Sequence, residues 1–492
     1  MSVTLITFFL LLFTFLAIGL SSLLVSQRSV DDYLIGGRQM GPWLSALSAA
    51  STNCSGFMFI GLIGLSYVQG IYAFWFFIGI VLGSFLAWTF WVPRLQKKSA
   101  DYGILTYLQF LFQPRSSASH LNAHTLQALL QWLAGGLTLF FLGLYAAAQL
   151  KAGTKALSSL FDLPAYAGIL MSGVIIWLYC LAGGYRASVW SDAAQAVIMW
   201  VAMALLAWSA LSHLGGWDGL IQTLNSQNPH LTSLFPQGSI FASWMTGFKW
   251  MCVGLGCAGQ PHIMIRVIAL KDEHQVPKTR ALFFGYYLSF VAISILVGVC
   301  SRALLPDQVG GFDAELALPK LASQLLPPAL IGVILAGVFA STISTADSQV
   351  LACSAVITQD LESYATSETT DGLEAKPTLN ETAYRTQKRA TTFVILGVMG
   401  SALIAPSSVF TLVILSWSVL AAIFVPILTL RITDQPHSAY HLLWMLCGAL
   451  LAFCFCKWNE ASWSQNEVLW AWIGSWACWK LSNVLRPHTA DH

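Results

Sequence analysis

Residues 42–93, PWLSALSAASTNCSGFMFIGLIGLSYVQGIYAFWFFIGIVLGSFLAWTFWVP, contain not one Asp, Glu, Lys or Arg. A soluble domain cannot leave so long an uncharged run, rich in Leu, Ile, Phe and Trp, without solvated faces. A bilayer can, because one helical crossing needs only about 20 apolar residues. The run is long enough for two crossings, with Ser66 to Gly70 as the turn between them. Deep in the first crossing lies a polar, glycine-containing interruption, Ser51-Thr-Asn-Cys-Ser-Gly56. Interrupted hydrophobic helices are a way to expose backbone groups to a bound ion within a membrane.

Composition agrees. The 492 residues are 56% hydrophobic and 9% charged, against roughly 25% charged in soluble domains. This is the balance of an all-α polytopic membrane protein. A net charge of +2 and the lack of a basic run argue against nucleic-acid binding. The ten cysteines are scattered singly; no Cys/His spacing suggests a metal site, so they read as free thiols packed between helices. No nucleophile–base pair is visible, and the chain is not read as an enzyme. The hydrophobic segment 3–26 lacks a basic leader and exceeds a signal core, so it reads as a retained first helix.

Apolar runs of spanning length predict about thirteen transmembrane helices. They fall at 3–26, 42–67, 71–93, 127–150, 164–183, 189–212, 239–263, 281–301, 326–348, 390–405, 408–430, 438–457 and 466–485. Basic residues stay on the cytoplasmic side. With the N-terminus outside and the C-terminus inside, only Lys151, Lys155, Lys249, Arg302, Lys320 and Lys457 fall on the outer side, and the rest, Arg186 and Arg266 among them, fall within. Residues 213–238 form an outer loop without Lys or Arg, and residues 359–388 an inner, mobile linker.

Three stretches carry chemistry. The first is the interruption around Ser51 to Gly56. Unwound there, the chain presents carbonyl oxygens, the hard ligands of an alkali cation; the alternative is a small-residue seam for close helix packing. The second runs from Ser341 to Ser348, where Ser341, Ser344 and Thr345 share one helix face. Their hydroxyls either complement those carbonyls or bond back to their own preceding turn. Asp347, in the same stretch, faces inner water, pairs with a basic loop, or has a functional part as a carboxylate within a crossing. The third is Gly254-Leu-Gly-Cys-Ala-Gly-Gln-Pro-His262, where three glycines and a proline break a second helix. Matched broken helices in two halves point to a binding site at the middle of the membrane. His262 is either a structural hydrogen-bonding group or a proton relay. Asp192, read at the start of the sixth helix, either attracts and releases a cation or caps that helix. Lys249 either snorkels to the outer interface or holds an anionic group of a solute.

At these residues the chain resembles the bacterial sodium/solute symporter family, with its nearest likeness to the sodium/proline symporters. The likeness is carried by Asp31-Asp-Tyr-Leu-Ile-Gly-Gly-Arg38, Ala46-Leu-Ser-Ala49, Gly183-Gly184 with Trp190-Ser-Asp192, Gly259-Gln-Pro-His262, Ser344-Thr-Ala-Asp-Ser-Gln349 and Ile357-Thr-Gln-Asp-Leu361. The resemblance implies thirteen helices in a five-plus-five inverted repeat (LeuT-type), with one extra N-terminal and two extra C-terminal helices. The units would be residues 1–40, a first repeat 41–212 (helices 2–6), a second repeat 239–430 (helices 7–11), and residues 431–492. It implies a sodium site on the backbone of Ser51, Cys54 and Ser341 and the side chains of Ser344 and Thr345. It places Asp192 and Asn53 on the ion pathway, and Ser55, Gly56, Tyr145, Val253, Cys257 and Pro261 around the solute.

Asn53 stands where proline symporters carry an Asp, and Val253 and Cys257 replace an aromatic pair associated with proline binding. Proline is therefore not expected to bind tightly. The expected function is sodium-coupled import of a small organic solute (an amino acid such as proline, or a carboxylate-like compound) across a bacterial inner membrane. Its partners would be sodium, the solute and the bilayer, with no cofactor, no nucleic acid and no obligatory protein partner. The alternatives are a non-transporting sensor on the same fold and proton-coupled uptake.

Overall fold

The computed structural model describes residues 2–113, 121–161, 163–235, 239–306, 312–361, 381–406, 408–459 and 466–485. Helix α1 (Ser2–Ser21) is followed by a short α2 (Val30–Ile35), capped by the Ser29 hydroxyl on the Asp32 N–H. Helix α3 (Pro42–Asn53) begins on a proline, whose missing N–H costs nothing at that position. It stops at Cys54 (φ −84°, ψ 49°) and resumes after Ser55 as α4 (Gly56–Phe59) and α5 (Gly61–Gln69). The expected first break is therefore present, at the polar interruption.

Next come α6 (Phe74–Phe90), α7 (Val92–Asp101) and α8 (Tyr107–Phe112), the last held by a reciprocal Thr106–Gln109 cap. The long α9 spans Leu121–Phe161. Helix α10 (Ala165–His213) is two helices, matching the expected crossings 164–183 and 189–212, that meet at a sharp non-helical break at Gly184 (φ 52°, ψ −129°). A Cβ at Gly184 would overlap the ring and carbonyl of Tyr33, so the bend needs glycine on two counts. Asp192 consequently lies about two turns inside the second half of α10 rather than at a helix start, and the capping reading fails.

The expected 213–238 loop contains α11 (Trp217–Gln227). Helix α12 (Ile240–Leu255) tightens into a turn over Gly256–Gly259, then swings by 56° into α13 (Pro261–Ile268). This is the second expected break. The chain continues with α14 (Val276–Leu304), α15 (Ala317–Leu325) and α16 (Pro328–Ala355), which widens into a π-helical turn over Val356–Leu361. Most of the expected 359–388 linker, residues 362–380, lies outside the described residues. Helices α17 (Glu381–Ile404), α18 (Val409–Ile432), α19 (Ala439–Trp458) and α20 (Glu467–Leu485) complete the chain.

Among the described residues, eight helices are long and apolar enough to cross a membrane, nine if the bent α12–α13 pair is one span. The polarity is that of a membrane bundle. Large apolar side chains such as Leu10, Phe13, Trp208, Phe241 and Phe393 face outward, while serines, threonines and glycines fill the interior. Helix α16 is the central post, packed against α1, α3, α9 and α10. Helices α6 and α12 touch almost backbone to backbone, with Gly83 against the Met251 carbonyl and Gly254 against that of Ile80.

One end of the bundle is basic. Arg38 donates to the carbonyls of Ile268 (2.8 Å), Ser99 (2.8 Å) and Ile104 (2.5 Å). Arg431 donates to those of Phe110 and Gln113, both at 2.9 Å. At this end a parallel bridge between Met40 and Leu270 ties the segment before α3 to the segment after α13.

Candidate functional site

The break in α3 sits against the middle of α16. The Ser344 hydroxyl lies 3.4 Å from the carbonyl of Ser51 and 3.3 Å from that of Ser341. The Thr345 hydroxyl lies 3.0 Å from the carbonyls of both Thr52 and Ser341. Cross-helix contact and back-bonding, the two alternatives read from the sequence, are thus both present. In return, Thr52 Oγ1 donates to the Ser344 carbonyl at 3.2 Å. Ser51, Thr52, Ser341, Ser344 and Thr345 are all fully buried. Three carbonyls and two hydroxyls form a neutral, all-oxygen nest, the donor chemistry of a hard cation.

Four of the five expected sodium residues are brought together. The carbonyl that receives the Thr345 hydroxyl belongs to Thr52, which the sequence reading passed over. Cys54 receives neither hydroxyl; its own N–H still bonds Ala50 at 2.8 Å, closing the last turn of α3.

Beside the break lies a cavity of about 30 Å³, bordered by Asn53, Ser55, Tyr145, Val253, Tyr287 and Trp417 among others. That volume holds no more than a water or two. Tyr145 donates to Ser55 Oγ at 3.2 Å, and the Trp417 indole donates to the Val253 carbonyl at 2.9 Å. Asn53 Oδ1 is buried without a hydrogen-bond partner.

Three expected solute residues do not reach this cavity. The Gly56 N–H is held by Gln149 Oε1 at 2.8 Å, and a Cβ there would overlap Thr342 and Ala152. Cys257 is locked in the turn before α13, where its carbonyl accepts the Gln260 N–H at 3.2 Å. Pro261 borders a different cavity, nearer the basic end. Tyr287, Trp417 and Gln149 were not foreseen. Nothing in the sequence distinguishes them from other membrane aromatics and amides, since only the fold decides which face they occupy.

Asp192 and Asn53, the expected ion-pathway residues, have different partners. Asp192 is wholly buried about one turn toward the basic end, where Ser48 donates to its Oδ2 at 2.6 Å. The same oxygen accepts Arg266 Nη2 at 3.1 Å. Arg266, expected in an inner loop, is 1% exposed. It also donates to Ser48 and Ser188 (3.2 Å each) and the His262 carbonyl (2.6 Å), contacts Ser348, and lies 5.6 Å over the Tyr185 ring. Five donors in a planar fork make arginine the cation suited to such a buried hub. Its signal in the sequence was a lone charge within a short apolar helix, which carries a functional prior.

Asp347 meets neither inner water nor a basic loop. It is buried, accepting Tyr179 Oη at 2.8 Å and Ser348 Oγ at 2.7 Å. Arg186, also expected in a loop, is buried in an ion pair with Asp32 at 2.5 Å. His262 lies edge-on to Tyr145, 5.6 Å between ring centres, and neither ring nitrogen has a hydrogen-bond partner. Lys249 is half-buried near Glu467 and Lys457, which pair at 3.0 Å, and does not border the solute cavity.

On the opposite side of the break, a clasp of ion pairs borders a cavity of about 440 Å³ that opens to the outside of the bundle. Lys155 of α9 pairs with Asp313 (2.8 Å) and Glu315 (2.5 Å). The Glu315 carboxylate also accepts the N–H groups of Val409 (3.2 Å) and Phe410 (2.9 Å) at the start of α18.

A helical bundle with two opposed helix breaks around a buried oxygen nest defines a membrane-transporter architecture. The comparisons agree: the sodium:solute symporter family model matches residues 33–437, and the chain belongs to that family. A sodium/proline symporter of Staphylococcus aureus (strain USA300 / TCH1516) is 30% identical over 346 residues, 70% of this chain. The chain spans 65% of that relative's length. A second, from strain NCTC 8325 / PS 47, matches to the same extent.

Among solved structures, a substrate-bound, outward-open Na+-coupled sialic acid symporter superposes with a TM-score of 0.76 at 18% identity, covering 97% of this chain and 98% of that one. A nucleobase-cation-symport-1 family transporter in a closed conformation superposes with a TM-score of 0.55 at 12% identity, covering 92% and 95%. Both likenesses concern the fold.

Proposed function

We propose that this chain is a sodium-coupled symporter that imports a small organic solute by alternating access. The observation that carries the reading is the meeting of the Ser344 and Thr345 hydroxyls with the Ser51 and Thr52 carbonyls at the broken end of α3. A sodium ion held there by oxygens of Ser51, Thr52, Ser341, Ser344 and Thr345 would bridge α3 and α16. A cation drives a cycle only if it binds the two conformations differently, and a bridge between two mobile elements is such a difference.

The cavity beside Asn53 is the proposed solute site. The proline named for the relatives is one candidate small organic solute. Val253 on the wall leaves the expectation of weak proline binding in place.

The proposed topology has thirteen crossings with the N-terminus outside. Of the nine apolar segments, Gly56–Asp101 and Tyr166–His213 are each long enough for two, and α17 and α20 add the last two. The carbonyl-bound arginines Arg38 and Arg431 support assigning the basic end to the cytoplasm. Helices 2–6 and 7–11 would then be the inverted repeat, in a bacterial inner membrane.

The test is uptake of labelled proline and a panel of other small amino acids and carboxylates into reconstituted vesicles. An inward sodium gradient is compared with choline at fixed pH. Sodium-driven accumulation of any of these supports the reading. Accumulation that ignores sodium and follows a proton gradient overturns the sodium coupling.

A further inference from the structure

The second cavity, about 30 Å³ and also bordered by Pro261, lies between α13, the end of α16 and the start of α8. Arg266 and Ser348 face it from one side, Thr106 and Asp360 from the other. Asp360 is 7% exposed and belongs to the π-helical turn Val356–Leu361, a local widening that recurs at functional positions. Only one of its carboxylate oxygens is used. Thr106 Oγ1 donates to Oδ1 at 2.7 Å, while Oδ2 is buried without a partner.

Charge balance makes that bare oxygen consequential. Among the described residues, three buried carboxylates, Asp192, Asp347 and Asp360, share this region with one buried guanidinium, Arg266. Arg266 is in contact with Asp192 and reaches Asp347 only through Ser348. Arg186 is committed to Asp32, and Arg431 to main-chain carbonyls. Asp360 is left with a neutral hydroxyl. An ionised carboxylate in so dry a place calls for a counter-charge.

Ser348, which borders the cavity, also touches the proposed sodium nest. Ser348 Oγ lies 2.7 Å from the Ser344 carbonyl and 3.4 Å from Thr52 Oγ1, and it contacts Arg266, which faces the cavity.

From this geometry we infer that Asp360 is a second, weaker cation station on the route out of the nest. A sodium ion leaving Ser344 and Thr345 passes Ser348 and is received by the free oxygen of Asp360. Thr106 holds the other oxygen and so sets the aim of the carboxylate. Arg266, facing the same cavity, opposes a second cation and keeps the station weak. The inference rests on the sodium reading above.

Binding of radiolabelled sodium to the purified full-length chain, at fixed pH, separates the two. The wild type is expected to show a tight and a weak component. Asp360→Asn keeps an acceptor for Thr106 but loses the charge; it should weaken the second component roughly tenfold or more, as expected for losing a charged ligand, and leave the tight one unchanged. Asp360→Glu should restore it. Ser344→Ala with Thr345→Ala should remove the tight component and spare the weak one. If Asp360→Asn does not fold, Thr106→Val takes its place, and a shift confined to the weak component is expected.

An isotherm that none of the Asp360 and Thr106 variants alters overturns the station. So does a wild-type isotherm with a single component, or a loss in Asp360→Asn that hits both components along with the melting temperature. A tight component indifferent to the Ser344/Thr345 change, with the weak one lost in Asp360→Asn, overturns the nest and not the station.

Discussion

The Thr345 hydroxyl stands 3.0 Å from the carbonyl of Thr52, a residue 293 positions away in the chain. Neither group is placed there by local preference. The Thr52 carbonyl is free to accept because α3 stops one residue later, and the Thr345 hydroxyl is delivered by a helix buried along nearly its whole length. A carbonyl released from its helical ladder in a dry interior needs a partner. A hydroxyl supplies it in this conformation, and a cation can supply it in another.

If the ion pairs of Lys155 with Asp313 and Glu315 take part in the transport cycle, breaking them should shift it. Glu315→Ala should loosen the clasp, since the variant removes one ion pair and uncaps α18, and a lost cap alone costs about 0.5–2 kcal/mol. The state open on the clasp's side gains population. Half-saturation by external sodium is expected at a lower concentration, with net uptake slowed several-fold. Unchanged values of both would remove the clasp from the cycle.

Arg266 and Asp192 should behave as a coupled pair. Removing one partner of a buried ion pair strands the other, typically at about 3–5 kcal/mol. Arg266→Gln and Asp192→Asn are each expected to lower the melting temperature in detergent. The double variant should lose less than the sum, with a coupling of at least ~1 kcal/mol. Strict additivity would contradict the pairing.

Close packing of α6 on α12 gives a pair of contrasting outcomes. Gly83→Leu puts a side chain into the Met251 backbone and should abolish the folded, monodisperse protein. Gly143→Ala, where a Cβ meets nothing within 4 Å, should be tolerated. Size-exclusion profiles after purification decide it, and a well-folded Gly83→Leu variant would contradict the packing.

Much of this was legible in the sequence because the physics is local. An uncharged run has to cross a bilayer, and Ser, Thr and Gly together mark where a crossing can open. Hydroxyls three and four residues apart share a face, which is why Ser341, Ser344 and Thr345 were found as a set. What stayed hidden depends on tertiary placement. Arg266 read as a loop residue because the eight-residue α13 after Pro261 is too short to register as a crossing. Asp192 read as a helix start because the sixth crossing was expected to begin at 189, whereas its helix resumes at Tyr185, directly after the break at Gly184 and two turns earlier. Trp417 and Tyr287 are indistinguishable in sequence from lipid-facing aromatics such as Trp208 and Phe241. Gly56, Cys257 and Pro261 were placed around the solute by the family resemblance, and in this conformation none of them borders the cavity beside Asn53.

The central claim is a sodium nest between α3 and α16, and the melting temperature of the purified chain tests it most directly. Sodium chloride is titrated against choline chloride at equal ionic strength and fixed pH. The wild type should gain stability with the logarithm of sodium concentration, by about 2.7 kcal/mol at a hundred times the dissociation constant, and the variant carrying Ser344→Ala with Thr345→Ala should gain almost nothing. An equal sodium-dependent rise in both proteins would contradict the account.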